Sequence, residues 1–156
     1  MATRQLPLVA VPHVLIASDA AWVHEEVRAS LPGSITTISL HNGRAVLTAV
    51  KEKCPDLAIL DSQIASMGAM AVTVDLHNEE SGGRIDHVPV LVLLDRQADV
   101  FLAKENGAEG WLVKPLDALR LERAIKSLLA GGTYEDRVQS GDSSTNYRPT
   151  PDATAR

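Results

Sequence analysis

Short apolar runs alternate with amphipathic stretches along most of this chain. The run Val14–Ala17 is continuously apolar, which is typical of a strand buried on both faces. In the stretch that follows, apolar residues recur every four positions, at Val23, Val27 and Leu31. This spacing predicts a helix, and Asp19 stands where it could cap the first turn of that helix.

The same pattern predicts the remaining elements. Strands are expected at residues 14–17, 35–39, 57–60, 90–94 and 110–113. Helices are expected at residues 19–31, from 42 or 43 to 50, and at 67–77, 99–106 and 117–130. Because five strands alternate with five helices, we expect an α/β fold with a doubly wound parallel sheet.

Composition limits the class of protein. The chain has 156 residues, of which 45% are hydrophobic and 22% charged, as expected for one soluble domain with a single core. Its net charge of -5 argues against direct nucleic-acid binding, which depends on clustered Lys and Arg. The single cysteine, Cys54, cannot form an internal disulfide, so we expect a cytoplasmic location.

The chain divides into an arm, a domain and a tail. Residues 1–12 are apolar but too short and proline-broken for a signal peptide or a membrane span, so we expect an extended arm. Residues 13–131 form the domain, and residues 132–156 form a polar tail whose composition predicts disorder. We expect six residues of the arm and tail to contact a partner protein: Leu6, Leu8, Val9, Val11, Tyr134 and Tyr147.

Charged side chains follow several of the predicted strands. In an open parallel sheet, ligands and chemistry collect outside the carboxyl ends of the strands. Four charged residues of this sequence fall there: Asp19, Asp61, Asp95 and Lys114. We therefore expect them to meet at one site.

Three segments, Val14–Asp19, Pro55–Asp61 and Gly107–Pro115, resemble signatures of response-regulator receiver domains. The resemblance covers roughly residues 13–130. It implies the flavodoxin-like receiver fold, with five strands in the order 2-1-3-4-5. It also implies a place in two-component signalling or a phosphorelay. The bond before Pro115 is often cis in this family.

Three positions match the working residues of receivers. The resemblance makes Asp61 the phosphoacceptor, Lys114 the active-site lysine and Asp19 the second acid of a pair that binds Mg²⁺. Ser18 stands where the first acid would be. Mg²⁺ prefers oxygen ligands with carboxylates to supply charge, so a metal site at Asp19 and Asp61 should be weak or absent, and no cofactor is required.

Other positions depart further from the family's pattern. Leu94 replaces the hydroxyl residue that would follow the phosphoryl oxygen, and Asp95 replaces a small residue. A hydrogen bond to a charged group contributes about 1.5 to 3 kcal/mol, whereas a full switch needs about 5.5 kcal/mol. We expect Asp95 or Asp61 to bind Lys114, in an acidic pocket formed by Ser18, Asp19 and Asp95. Trp111 occupies the aromatic switch position.

An enzyme of the aspartate-nucleophile type is not expected. Such a phosphatase or phosphotransferase needs a second carboxylate two residues after the nucleophile as acid/base, and that position holds Gln63.

These observations favour an atypical single-domain response regulator that binds another protein. It would be an adaptor or an accessory subunit of a larger assembly, independent of phosphorylation. Two alternatives stay open. The chain could relay phosphate from a histidine kinase through Asp61, or regulate transcription through a recruited partner.

Overall fold

The computed structural model describes residues 11–137. The strands are β1 (His13–Ala17), β2 (Thr36–Leu40), β3 (Leu57–Asp61), β4 (Val90–Leu94), β5 (Gly110–Val113) and β6 (Tyr134–Glu135). The helices are α1 (Ala21–Ala29), α2 (Arg44–Glu52), α3 (Ala69–Ser81), α4 (Val100–Glu105) and α5 (Ala118–Leu129), with a 3₁₀ turn at Gln97–Asp99. The strands pair in parallel in the order β2-β1-β3-β4-β5-β6. The predicted doubly wound α/β fold is confirmed.

The sheet has one strand more than the five that the sequence predicted. β6 pairs Tyr134 with Gly110 and Glu135 with Trp111. Because β6 is only two residues long, it carries no alternating pattern that could have predicted it. Tyr134 packs against the core and Asp136 is buried, so the folded part of the chain extends beyond the predicted boundary at residue 131.

Apolar side chains fill both faces of the sheet. One layer lies under α2, α3 and α4 and includes Leu15, Val46, Val72, Leu76, Leu94 and Trp111. The other lies under α1 and α5 and includes Ile16, Val23, Val27, Leu121 and Ile125. Burying a side chain of this size contributes about 1.5 to 3 kcal/mol. Burial on both faces explains why the central strands are continuously apolar.

Two aspartates at helix starts behave differently. Asp117 caps α5, where its carboxylate accepts hydrogen bonds from the backbone N–H groups of Leu119 and Arg120. Asp19 does not cap α1, which begins after Ala20 without a side-chain cap. The predicted cap at Asp19 is therefore wrong, because its carboxylate ties the loop after β3 to the loop after β1 instead.

Parallel pairing brings the ends of β1, β3, β4 and β5 to one edge of the sheet. Asp61 lies opposite Leu93, and Leu94 lies opposite Val113. The residues that follow these strands therefore share a common edge, as expected from the topology. In the described part of the chain, no helix is long and apolar enough to cross a membrane.

Candidate functional site

An ion pair between Asp61 and Lys114 forms the centre of this edge. Asp61 ends β3, and Lys114 follows β5 directly. The distance from Lys114 Nζ to Asp61 Oδ1 is 2.6 Å, and the side chains are 14% and 2% exposed. The peptide bond between Lys114 and Pro115 is cis, as the resemblance implied.

Ser18 forms a hydrogen bond with the other carboxylate oxygen of Asp61. Its hydroxyl is buried and donates a hydrogen bond of 2.7 Å to Asp61 Oδ2. The same hydroxyl accepts a 3.0 Å bond from the backbone N–H of Ala20. The N–H of Gln63 also lies 3.2 Å from Asp61 Oδ1. Both carboxylate oxygens of Asp61 are thus engaged by groups of the chain itself.

Asp95 is the second carboxylate that holds Lys114. Its Oδ1 lies 3.0 Å from Lys114 Nζ, and its Oδ2 accepts a 2.9 Å bond from the hydroxyl of Ser62. Burial alone would raise the pKa of Asp95. The hydrogen bonds from Lys114 and Ser62 outweigh burial and lower this pKa below its usual value, so Asp95 is ionised at neutral pH.

Lys114 remains a cation between the two carboxylates. Burial alone would lower the pKa of its ammonium group, but the hydrogen bonds to Asp61 and Asp95 dominate and raise the pKa above its ordinary value. The expected pairing of Lys114 with these two acids is therefore present in the structure.

A cavity of about 450 Å³ opens above this ion pair. It is lined by Asp19, Ala20, Trp22, Asp61, Gln63, Asp95 and Lys114. Trp22 is 49% exposed, and the centroid of its ring lies 5.7 Å from Lys114 Nζ, within the range of a cation–π contact. Neither Trp22 nor Ser62 was predicted. Trp22 lies off the apolar stripe of α1, and Ser62 looks in the sequence like any loop serine.

Asp19 lies at the rim of the cavity and is exposed. Its Oδ1 accepts a 2.9 Å hydrogen bond from the backbone N–H of Ala65. Its carboxylate therefore joins the loops that follow β1 and β3.

Leu94 and Trp111, the two predicted switch positions, lie in the core rather than at the cavity. Leu94 is fully buried, Trp111 is nearly so, and both belong to the apolar layer under α3 and α4. The structure therefore brings together Ser18, Asp19, Asp61, Asp95 and Lys114, but not these two.

The donor set fits a divalent cation poorly. Ser18 directs its hydroxyl proton at Asp61, and Lys114 places a positive charge 2.6 Å from the same carboxylate. Among residues 11–137, no group of three or more His, Cys, Asp or Glu side chains is arranged to hold a metal ion. The charged groups of the site form an ion-pair network centred on Lys114.

The predicted partner-binding residues are placed only in part. Val11 is exposed, and Tyr134 is half-buried in β6. The other four lie outside the described residues: Leu6, Leu8, Val9 and Tyr147.

Known response regulators are similar to this chain in sequence and in fold. No family model matches the sequence. An uncharacterized response regulatory protein of Mycobacterium tuberculosis is 29% identical over 123 residues, which are 74% of this chain and 90% of that protein. The signal receiver domain of NarL from Mycobacterium tuberculosis matches with a TM-score of 0.68 and 26% identity, over 77% of this chain and 97% of that one. Its sequence relatives are response regulators and its structural neighbours are receiver domains, which supports a place in the response-regulator receiver family.

A longer relative sets a limit to what this membership implies. Transcriptional regulatory protein CseB of Streptomyces avermitilis is 27% identical over 146 residues, which are 92% of this chain and 57% of CseB. The chain thus spans little more than half the length of that relative. The similarity therefore does not assign to this chain the activities or partners of that longer protein.

Proposed function

We propose that this receiver is an atypical response regulator that acts by binding a protein partner, as an adaptor or accessory subunit, without phosphorylation of Asp61. The observation that carries this proposal is the engagement of both Asp61 oxygens. Lys114 holds one at 2.6 Å and Ser18 holds the other at 2.7 Å. These bonds stabilise the charge on both oxygens of Asp61 and so weaken the carboxylate as a nucleophile toward a phosphoryl donor.

Electrostatics supports the same proposal. A phosphoryl group carries almost two negative charges. Asp95 is ionised next to Asp61 and shares Lys114 with it. Two like charges about 4 Å apart repel by roughly 1 to 4 kcal/mol over the plausible range of dielectric constant. Asp95 thus opposes the modification and competes for the cation that would stabilise it.

Leu94 is buried and offers no hydrogen-bond donor to a phosphoryl group on Asp61. A side chain without a hydroxyl forms no hydrogen bond to a phosphoryl oxygen, and Leu94 packs tightly in the core. A bond of about 1.5 to 3 kcal/mol is therefore missing from the roughly 5.5 kcal/mol that a full switch requires.

Exposed apolar side chains on α4 and at the start of α5 support binding to a protein. Phe101 is 65% exposed, Leu102 is 47% exposed and Leu119 is 56% exposed. Large apolar side chains exposed on a surface can mark interaction sites, because burial against a partner removes them from water.

Incubation with acetyl phosphate and Mg²⁺, followed by intact mass measurement, tests the phosphorylation part of this proposal. We expect no phosphoryl adduct. An adduct that disappears in Asp61→Asn would instead favour a phosphorelay with a histidine kinase. The similarity to the transcriptional regulatory protein CseB favours a further candidate, regulation of transcription, which here would act through a recruited partner. Partner capture from native cells with the full chain, followed by identification of the captured protein, separates these functions.

A further inference from the structure

β6 is attached to the sheet by a side chain as well as by its backbone. The N–H of Tyr134 donates to the carbonyl of Glu109 over 3.0 Å. Asp136 comes just after the strand, and its side chain is 2% exposed. Its Oδ2 accepts a 3.0 Å bond from the backbone N–H of Val113. The carboxylate thus takes the place of the carbonyl that a longer strand would offer to β5.

Arg120 of α5 connects this carboxylate to the loop that carries Lys114. Its Nη2 lies 3.5 Å from Asp136 Oδ2. The same nitrogen donates to the carbonyl of Val113 at 2.8 Å and to the carbonyl of Pro115 at 3.1 Å. These carbonyls belong to the residues on either side of Lys114. One guanidinium group therefore holds the backbone around the lysine of the site.

We propose that Asp136 and Arg120 form a brace that couples the C-terminal strand to the position of Lys114. Both are positioning residues: neither reaches the cavity, but the lysine contacts Asp61 and Asp95 from a backbone that they hold. This inference does not depend on whether Asp61 accepts phosphate.

Through the brace, a displacement of β6 would change the position of Lys114. A two-residue strand has few backbone bonds and opens more easily than the central strands. A protein partner that binds β6 and draws it off β5 would separate Asp136 from Arg120 and loosen Lys114.

The full chain with Asp136→Asn tests the brace. The substitution keeps the shape of the side chain but removes the charge that faces Arg120. The matched control is Glu135→Gln, which removes the same charge from an exposed neighbour in β6. The readout is the rate of reductive methylation of Lys114 under native conditions, with the exposed Lys104 of α4 as internal reference.

We expect Lys114 to react roughly fivefold faster in Asp136→Asn, with Lys104 unchanged. Arg120→Lys should act in the same direction, because a lysine ammonium is a point charge on a flexible stem and lacks the planar, pre-organised geometry of the guanidinium group. Glu135→Gln should leave the rate unchanged. If Asp136→Asn lowers the free energy of unfolding but leaves Lys114 as unreactive as in the control, β6 is merely structural and the proposal is overturned.

Discussion

Glu109 Oε1 lies 3.0 Å from Nε2 of His87, while the other ring nitrogen of His87 lies 2.9 Å from Glu80. Glu109 also accepts a 2.7 Å hydrogen bond from the backbone N–H of Val90 through its second oxygen. His87 therefore joins the end of α3 to the loop that precedes β5, at the edge of the sheet opposite the Asp61 site. A ring held by two carboxylates is stabilised in its protonated form.

This arrangement predicts that stability falls as pH rises. The hydrogen bond to Glu80, followed by the charge of Glu109, raises the pKa of His87 above its ordinary value, although burial opposes the shift. A base whose pKa is raised by folding contributes stability that is fully present below its pKa in the unfolded chain, about 6.5. This contribution is lost as pH rises through the pKa of the group in the folded chain. We expect the free energy of unfolding, measured by urea denaturation, to decrease as pH rises through this window.

His87→Gln is the control for this pH dependence. Burial lowers the pKa of His13, and the charge of Lys53 adds to this effect. His13 therefore lowers the free energy of unfolding as pH falls below about 6.5, which is the opposite of the effect of His87. The difference between the wild type and His87→Gln isolates the contribution of His87. Parallel pH profiles for the two proteins would contradict the prediction.

Loss of Lys114 should cost more stability than loss of the charge on Asp61. Lys114→Met leaves a buried carboxylate at Asp61 without its cation, and we expect a loss of about 3 kcal/mol. Asp61→Asn leaves Lys114 bound to Asp95, so the expected loss is only about 1 kcal/mol. Urea denaturation at neutral pH measures both values. Equal losses would indicate that Asp95 does not compensate.

Ser18→Asp should create a usable site for Mg²⁺. The new carboxylate lies beside Asp61 and near Asp19, so in the absence of a metal we expect lower thermal stability from like-charge repulsion. A ligand present at ten times its Kd stabilises a fold by about 1.4 kcal/mol. We expect Mg²⁺ to raise the Tm of Ser18→Asp clearly more than that of the wild type.

Ser18→Asn is the matched variant, since it has similar size but adds no charge. Its Tm should respond to Mg²⁺ no more than that of the wild type. A wild-type response as large as that of Ser18→Asp would show that Asp19 and Asp61 suffice for the metal.

Phe101→Ser should weaken partner binding without weakening the fold. Because Phe101 is mostly exposed, the free energy of unfolding should change by less than about 0.5 kcal/mol. The amount of the identified partner that co-purifies should fall. Val74→Ser, an exposed apolar position on α3, is the control and should retain the partner. Equal losses for both variants would argue against Phe101 as a specific contact of the partner.

The sequence predicted the main elements because burial on both faces of the sheet leaves continuous apolar runs in β1, β3 and β4. It also predicted the meeting of Asp61 with Lys114, because residues after parallel strands share one edge. It did not predict β6, which is held by backbone pairing with β5 and by the side chain of Asp136. Asp136 and Arg120 are 16 positions apart in the sequence, so no local sequence pattern predicts their pairing.

The role of Asp19 shows why local rules fail at such an edge. An aspartate just before a helix is an N-cap by local preference. In the folded chain a backbone N–H of Ala65, brought there by pairing of β1 with β3, takes the carboxylate instead. Trp22 was missed for a related reason, since its contact with Lys114 depends on the approach of α1 to the end of β5.

The short β6 also affects whether the sheets of two copies of this chain can pair edge to edge. An uncovered edge strand offers unpaired N–H and C=O groups on which a second chain can grow a continuous sheet. β6 covers Gly110 and Trp111, and the carboxylate of Asp136 takes the N–H of Val113. What remains on this side is a two-residue edge followed by a buried negative charge, a poor template for another strand. We therefore expect residues 134–136, which the sequence placed in a polar tail, to disfavour edge-to-edge association on this side of the sheet.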